Sequence, residues 1–179
     1  SGETAFSAGS PIRAAEIGLL ASLGLTRVSV HRQPLVAVIS SGDELVPPDQ
    51  EPGPGQIRDS NRFALAAHLN ALGFPCRDFG NAPDRAEAIE ALFRRAADEC
   101  DVLVSTGGVS VGDYDLTKTV LARLGTMEFW RVAIRPGKPL AFGSINGRPV
   151  FGLPGNPVSS LVVLDQVVRP ALRRMAGHR

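Results

Sequence analysis

The residues able to do chemistry concentrate in four short segments, each mixing turn-forming Gly or Pro with hydroxyls or charges. They are Ser41-Gly42-Asp43-Glu44-Leu45, Thr106-Gly107-Gly108-Val109-Ser110-Val111-Gly112, Arg135-Pro136-Gly137-Lys138-Pro139 and Pro154-Gly155-Asn156-Pro157-Val158-Ser159. In the second, three glycines let backbone amides approach a ligand and form a nest suited to phosphate. Gly107 and Gly112 have the spacing of a P-loop, but Asp113 stands where the lysine would be, so no Walker-type nucleotide site follows. Taken alone, this loop reads equally as a tight strand-to-helix turn.

Glu44, Asp84 and Asp115 fall at or just after expected loop ends on one side of the fold. Carboxylates so placed suit Mg²⁺ shared with a ligand's phosphates. Asp84 and Asp115 would also serve as helix caps, and Glu44 could be a solvated loop residue, although its place after a strand and Gly-Asp at the ligand edge favours function. Arg131, Arg135 and Lys138 cluster around a Pro-Gly turn, where the forks of Arg131 and Arg135 could bracket a doubly charged oxyanion. The same cations would also protect a strand edge from pairing. Asn156 and Ser159, at the start of the last helix, add amides and a hydroxyl for a further anion. His31, His68 and His178 are scattered singly, and no serine, histidine and aspartate arrangement suggests a hydrolytic triad. The residues by themselves describe an anion pocket with Mg²⁺-competent carboxylates and cationic clamps, which fits a phosphorylated ligand without naming it.

An alternating α/β order must position these loops. Residues 35–40 and 101–105 are near-continuous apolar runs, the pattern of strands covered by helices on both faces. Between and after them come a helix capped by Asp59 or Ser60 and stopped at Gly73, and a weak strand over 75–79. A helix over 84–97, opened by Asp84 and Glu87, follows. Asp115 opens a helix to Leu124, and 128–134 reads as a strand. Residues 140–145 and 149–153 form a hairpin across Asn146-Gly147, and Asn156-Pro157 opens a long helix kinked before Pro170. The expected fold is a three-layer α/β/α domain with a mostly parallel sheet and an antiparallel hairpin at one end. In such sheets ligands bind beyond the carboxyl ends of the strands, where all four segments fall. Residues 1–33, a helix after Ser10-Pro11 ending at Gly24 and a strand over 25–31, read as a remnant of a flanking domain or linker. The α/β domain proper then runs from 34 to 179.

Composition narrows the class. With 179 residues and 44% hydrophobic content the chain suffices for one core of ordinary size. Its 19 Lys plus Arg against 18 Asp plus Glu give no global field for nucleic acid or an anionic membrane. No run reaches the ~20 apolar residues of a membrane helix, so a soluble, cytoplasmic protein is expected. Cys76 and Cys100 stand apart without Cys-x-x-Cys spacing, which predicts reduced thiols, no disulfide and no zinc site.

These loops, in this order, together with Gly55-Gln56-Ile57-Arg58-Asp59-Ser60-Asn61, resemble the molybdenum insertase family, which includes bacterial MoeA and the E-domain of gephyrin. The resemblance runs nearly the length of the chain. It implies Mg²⁺-dependent transfer of molybdate onto the dithiolene of adenylylated molybdopterin, with cleavage of the phosphoanhydride and release of AMP. On that resemblance Glu44, Asp84, Asp115, Arg131 and Arg135 are catalytic positions, with Mg²⁺ at Glu44 and Asp115. The two arginines stand where the family often has lysine. Ser41, Gly42, Asp43, Thr106, Gly107, Gly108, Ser110, Gly112, Lys138, Pro154, Gly155, Asn156 and Ser159 are then substrate-binding. The resemblance further implies a homodimer in the full-length protein and contact with the adenylyltransferase of the preceding step, and it makes this chain a fragment of a longer enzyme. That adenylyltransferase, which shares the fold and a similar Thr-Gly-Gly loop, is the rival reading. A non-catalytic scaffold domain is the other.

Overall fold

The computed structural model describes residues 4–107 and 116–178, and for 129–131 the backbone course alone. A helix α1 (Ala14–Ser22) precedes strand β1 (Val36–Ser41), the short strands β2 (Leu45–Val46) and β3 (Ile57–Arg58), and helix α2 (Asn61–Ala71). Then follow β4 (Cys76–Ala82), α3 (Ala86–Glu99), β5 (Val102–Thr106), α4 (Leu116–Leu124), β6 (Thr126–Arg131), β7 (Pro139–Ile145) and β8 (Arg148–Leu153). The chain closes on α5 (Pro157–Val163), a π-helical turn (Leu164–Val168) and α6 (Arg169–Met175). The six-stranded sheet runs β4-β1-β5-β8-β7-β6. Its first four strands are mutually parallel, and β7 lies antiparallel to both β8 and β6. β2 and β3 form a separate parallel pair beyond the end of β1.

Strand periodicity divides the core in two. Ala37, Ile39 and Leu103 face one side with Ile89 and Phe93 of α3 and Val120 and Leu121 of α4. Val36, Val38, Val102 and Val104 face the other with Leu65 and Leu69 of α2 and Val163, Leu164 and Leu172 from the last helical stretch. Residues 36–41 are buried throughout, because helices cover both faces of β1. Burial of each such Val, Ile or Leu side chain contributes roughly 1.5–3 kcal/mol. The expected three-layer fold is present, with the antiparallel strands at one end of the sheet. At the β7–β8 turn Asn146 and Gly147 both take positive φ, 51° and 74°, as a type I′ hairpin turn requires. Near the kink expected before Pro170 the helix widens into the π turn, because proline has no N–H to continue the ladder and its ring crowds the preceding carbonyl.

Three expectations are corrected. Residues 25–31 form no strand: they pair with no sheet, and Val28 and Val30 remain exposed, so the apolar alternation there lacks a ladder partner. The first helix starts at Ala14 rather than at Ser10-Pro11, with the Glu16 carboxylate accepting from the Arg13 N–H at 2.8 Å. Asp84 does not cap α3, whose cap residue is Arg85; its carboxylate turns to another loop. Cys76 and Cys100 are free thiols, and burial pushes Cys76 up to about 11. No helix among the described residues is long and apolar enough to cross a membrane.

Candidate functional site

β1, β5 and β8 end side by side, and the loops that leave them meet in a cleft of about 110 Å³. Its lining includes Ser41 at the end of β1 and Glu44 beyond it, Asp59 before α2 and Asn61 at its start, and Thr106 at the end of β5 with Gly107 beyond it. Gly155 and Pro157, after β8, complete it. Close approach of the first two loops demands glycine: a Cβ on Gly107 would lie 2.2 Å from the Ser41 carbonyl oxygen. The cleft is smaller than the roughly 300–1,000 Å³ that encloses a whole cofactor-sized ligand, so it suits one part of such a ligand.

Asn61 ties the start of α2 to the ends of β5 and β8. Its Nδ2 donates to Thr106 Oγ1 at 3.1 Å and to the Gly155 carbonyl at 2.7 Å. Thr106 Oγ1 in turn donates to the Pro154 carbonyl at 3.1 Å, and Ser160 Oγ donates to that same oxygen. Beneath Asn61 lies a buried charged network. Asp59 Oδ2 accepts from Ser40 Oγ at 2.6 Å and from Arg62 Nε at 2.8 Å, while Arg62 also pairs with Asp78. Burial works against the Arg62 charge, but the hydrogen bonds it donates to Asp59 and Asp78 outweigh it and hold the guanidinium above its ordinary value. Asp59 Oδ1 accepts from the Arg62 N–H at 3.3 Å, so it is Asp59, not Ser60, whose side chain caps α2.

Glu44 is exposed at the cleft and carries no hydrogen bond or ion pair from its carboxylate among the described residues. Asp84 and Asp43 clasp each other: the Asp84 N–H donates to Asp43 Oδ1 at 3.0 Å and the Asp43 N–H to Asp84 Oδ2 at 3.4 Å. Asn81 Nδ2 adds a bond to the Gly42 carbonyl at 2.9 Å, so the loop after β1 is tied to the loop after β4. Arg58 is the cation of the cleft lining, and it is engaged by Glu51 at 2.6 Å and the Pro48 carbonyl at 3.1 Å.

The cationic turn occupies the same sheet edge farther along. Arg135 and Lys138 are exposed, the Val132 N–H donates to the Lys138 carbonyl at 3.1 Å, and the Arg135–Pro136 peptide is cis. A Cβ on Gly137 would lie 2.5 Å from Val163 Cγ2 and 3.6 Å from the Ser159 carbonyl oxygen, so the turn is seated directly against α5. There Asn156 Oδ1 caps the helix by accepting from the Ser159 N–H at 3.1 Å. The edge therefore has an acidic half over β1 and β5 and a cationic half beyond β8.

Of the residues singled out by sequence, Ser41, Glu44, Thr106, Gly107 and Gly155 meet in the cleft. Gly42, Asp43 and Asp84 form the adjoining clasp. Pro154, Asn156 and Ser159 build the α5 turn, with Arg135 and Lys138 beside it. Arg131 ends β6. Gly108, Ser110, Gly112 and Asp115 lie outside the described residues. Among the described residues no three His, Cys, Asp or Glu side chains come together as a metal cage. Sequence reasoning left Asp59 and Asn61 out of the site, giving Asp59 a capping role only. The available signal was an Asp and an Asn flanking the first turn of a helix whose preceding loop belongs to the ligand edge. A larger hollow of about 660 Å³, between residues 6–12, 28–33 and the end of α6, includes no Asp, Glu, Lys or Arg among the described residues of its lining.

A family model described as "Probable molybdopterin binding domain" matches residues 37–174. The chain is 41% identical over 178 residues to the molybdopterin molybdenumtransferase of Haemophilus influenzae, covering 99% of this chain and 44% of that protein. It is 42% identical over 174 residues to the protein of the same name from Nostoc, covering 95% and 40%. A solved MoeA structure from Pyrococcus horikoshii superposes with a TM-score of 0.82 at 43% identity, over 94% of this chain and 42% of that one. The chain thus spans less than half the length of these relatives.

Proposed function

This chain belongs to the molybdopterin molybdenumtransferase family, and from that premise we propose that it forms the domain that takes adenylylated molybdopterin and molybdate and inserts the metal, releasing AMP. The observation that carries the reading is the division of one ligand edge. A carboxylate unpaired among the described residues, Glu44, stands over a cleft made by three strand-end loops, and exposed Arg135 and Lys138 stand farther along the same edge against α5.

The residues fit the implied Mg²⁺. This ion keeps several waters and takes one or two carboxylates together with phosphate oxygens, so a preformed protein cage is not needed. Glu44 offers such a carboxylate, and Asp115 is assigned as the second. When bound, Mg²⁺ would offset the charge of the phosphoanhydride and of the departing AMP. Arg131, Arg135 and Lys138 hold molybdate or the terminal phosphate, with Arg supplying paired donors. Asp84 acts through Asp43, fixing the turn that carries Glu44. The glycine-rich turn at Thr106 and Gly107 presents backbone donors to the rest of the ligand, and Ser159 at the α5 start, its N–H taken by Asn156, offers its hydroxyl. Catalysis on this scheme is positioning and electrostatics rather than covalent attack.

The whole protein is proposed to be a cytoplasmic homodimer that receives its substrate from the adenylyltransferase of the preceding step. The test is molybdate-dependent AMP release from adenylylated molybdopterin by this chain and by Glu44→Gln. Release that requires molybdate and drops about tenfold or more in the variant is expected, in line with losing one charge-assisted contact. Adenylylation of molybdopterin from ATP in its place would overturn the assignment.

A further inference from the structure

We propose that Asn61 reads the organic part of the ligand: its carbonyl Oδ1 accepts a hydrogen bond from an uncharged N–H or O–H, so the 110 Å³ cleft receives that part and not an oxyanion. This rests on the functional reading above and divides its substrate between the two halves of the edge.

The orientation of the amide is set by its neighbours. The Gly155 carbonyl can only accept, so the group 2.7 Å from it must be the NH₂. Thr106 Oγ1 spends its hydrogen on the Pro154 carbonyl and therefore accepts from Asn61 as well. Both amide hydrogens are committed, and Oδ1 is left buried without a partner among the described residues. Ser41, 3% exposed and in the lining of the same cleft, likewise has a buried Oγ with no partner. Buried polar atoms in folded proteins are nearly always satisfied, so two orphans beside one cleft call for a hydrogen-bonding guest.

Charge identifies the guest's chemistry. The cleft lining carries the carboxylates of Glu44 and Asp59 against one cation, Arg58, which is already engaged by Glu51. An oxyanion has acceptors only, so facing Asn61 Oδ1 it would form no bond. A pterin ring edge, an adenine amino group or a ribose hydroxyl each supplies the missing donor. Arg135 and Lys138, outside this lining, are left for the oxyanion.

Calorimetric titrations of molybdopterin, AMP and molybdate into the chain decide the matter, using wild type, Asn61→Ala and Ser160→Ala. Ser160 shares the Pro154 carbonyl with Thr106 but is not part of the cleft lining, so its variant loosens the same turn without removing Oδ1. Asn61→Ala is expected to weaken one organic probe about tenfold, the loss of one good hydrogen bond, with molybdate unchanged and Ser160→Ala within about twofold of wild type throughout. Whether molybdopterin or AMP suffers identifies which end of the substrate supplies the donor. Weakened molybdate binding, no change with either organic probe, or equal losses in the two variants would overturn the proposal while leaving the functional reading standing. Wild type that binds none of the three probes would overturn both.

Discussion

At the amino-terminal edge of the sheet, Asp101 receives two bonds from Arg32, at 2.6 and 2.7 Å, one from Arg148 at 3.2 Å and one from the Leu35 amide at 2.9 Å. At the carboxyl-terminal edge, Glu44 lies exposed with its carboxylate unbonded among the described residues. The hydrogen bonds from Arg32, aided by the Leu35 amide, outweigh burial and hold Asp101 at about 2. Asp101 itself stands just before β5, and its partners come from just before β1 and from the start of β8, so this carboxylate aligns the three parallel strands where they begin. Paired charge at one edge serves the fold, and charge left unpaired among the described residues at the other remains available to a ligand.

One carboxylate is paired although it sits at the ligand edge, and its removal should have the largest effect. Asp59, 2% exposed, neutralises buried Arg62. Asp59→Ala should cost about 3 kcal/mol in urea unfolding, because it strands a buried guanidinium with only partly exposed Asp78 for a partner. A loss below ~1 kcal/mol would show that pairing at this edge is not structural.

Asp101→Ala should cost less, about 1–2 kcal/mol, since Arg32 is largely exposed and solvent screens the pair. Acid sharpens the point. Asp101 titrates at about 2 when folded and at roughly 3.9 when unfolded, so in that interval the unfolded chain binds more protons and stability falls as pH drops. The contribution is complete above about pH 4 and gone below about pH 2. Thermal unfolding between pH 2 and 5 should therefore show a steeper acid limb in wild type than in the variant; parallel limbs would contradict the assignment.

The smallest of these effects belongs to the cationic half of the ligand edge. Arg135→Ala should raise the dissociation constant for molybdate about fivefold at low salt and less at high salt, as expected for an exposed charge. A loss independent of ionic strength would mean that Arg135 acts through the packing of its turn and not through charge.

What could be read from sequence follows the same division between local and distant causes. Strands β1 and β5 were legible because full burial on both faces leaves a continuous apolar run, and the β7–β8 hairpin because Asn146-Gly147 satisfies its own turn. Residues 25–31 have the composition of a strand, but a strand exists only where another offers its edge. The Arg32–Asp101–Arg148 cluster joins residues 69 and 47 positions apart, and no local pattern announces it. Asp59 looked like a cap, and it is one; its second role needs Ser40 and Arg62 beside it, which only the fold supplies. The ligand-edge loops were legible as Gly- and Pro-rich turns bearing charge, but their split into an acidic and a cationic half depends on the strand order.

The most direct test pairs Glu44→Gln with Asp101→Ala, reading in each the thermal midpoint and the calorimetric affinity for adenylylated molybdopterin with Mg²⁺. The prediction is a crossover. Glu44→Gln should weaken binding about tenfold and leave the midpoint within about 1 °C, while Asp101→Ala should lower the midpoint by about 2–6 °C and leave binding within about twofold. Loss of both properties together in either variant would contradict the claim that the two edges divide stability from ligand binding.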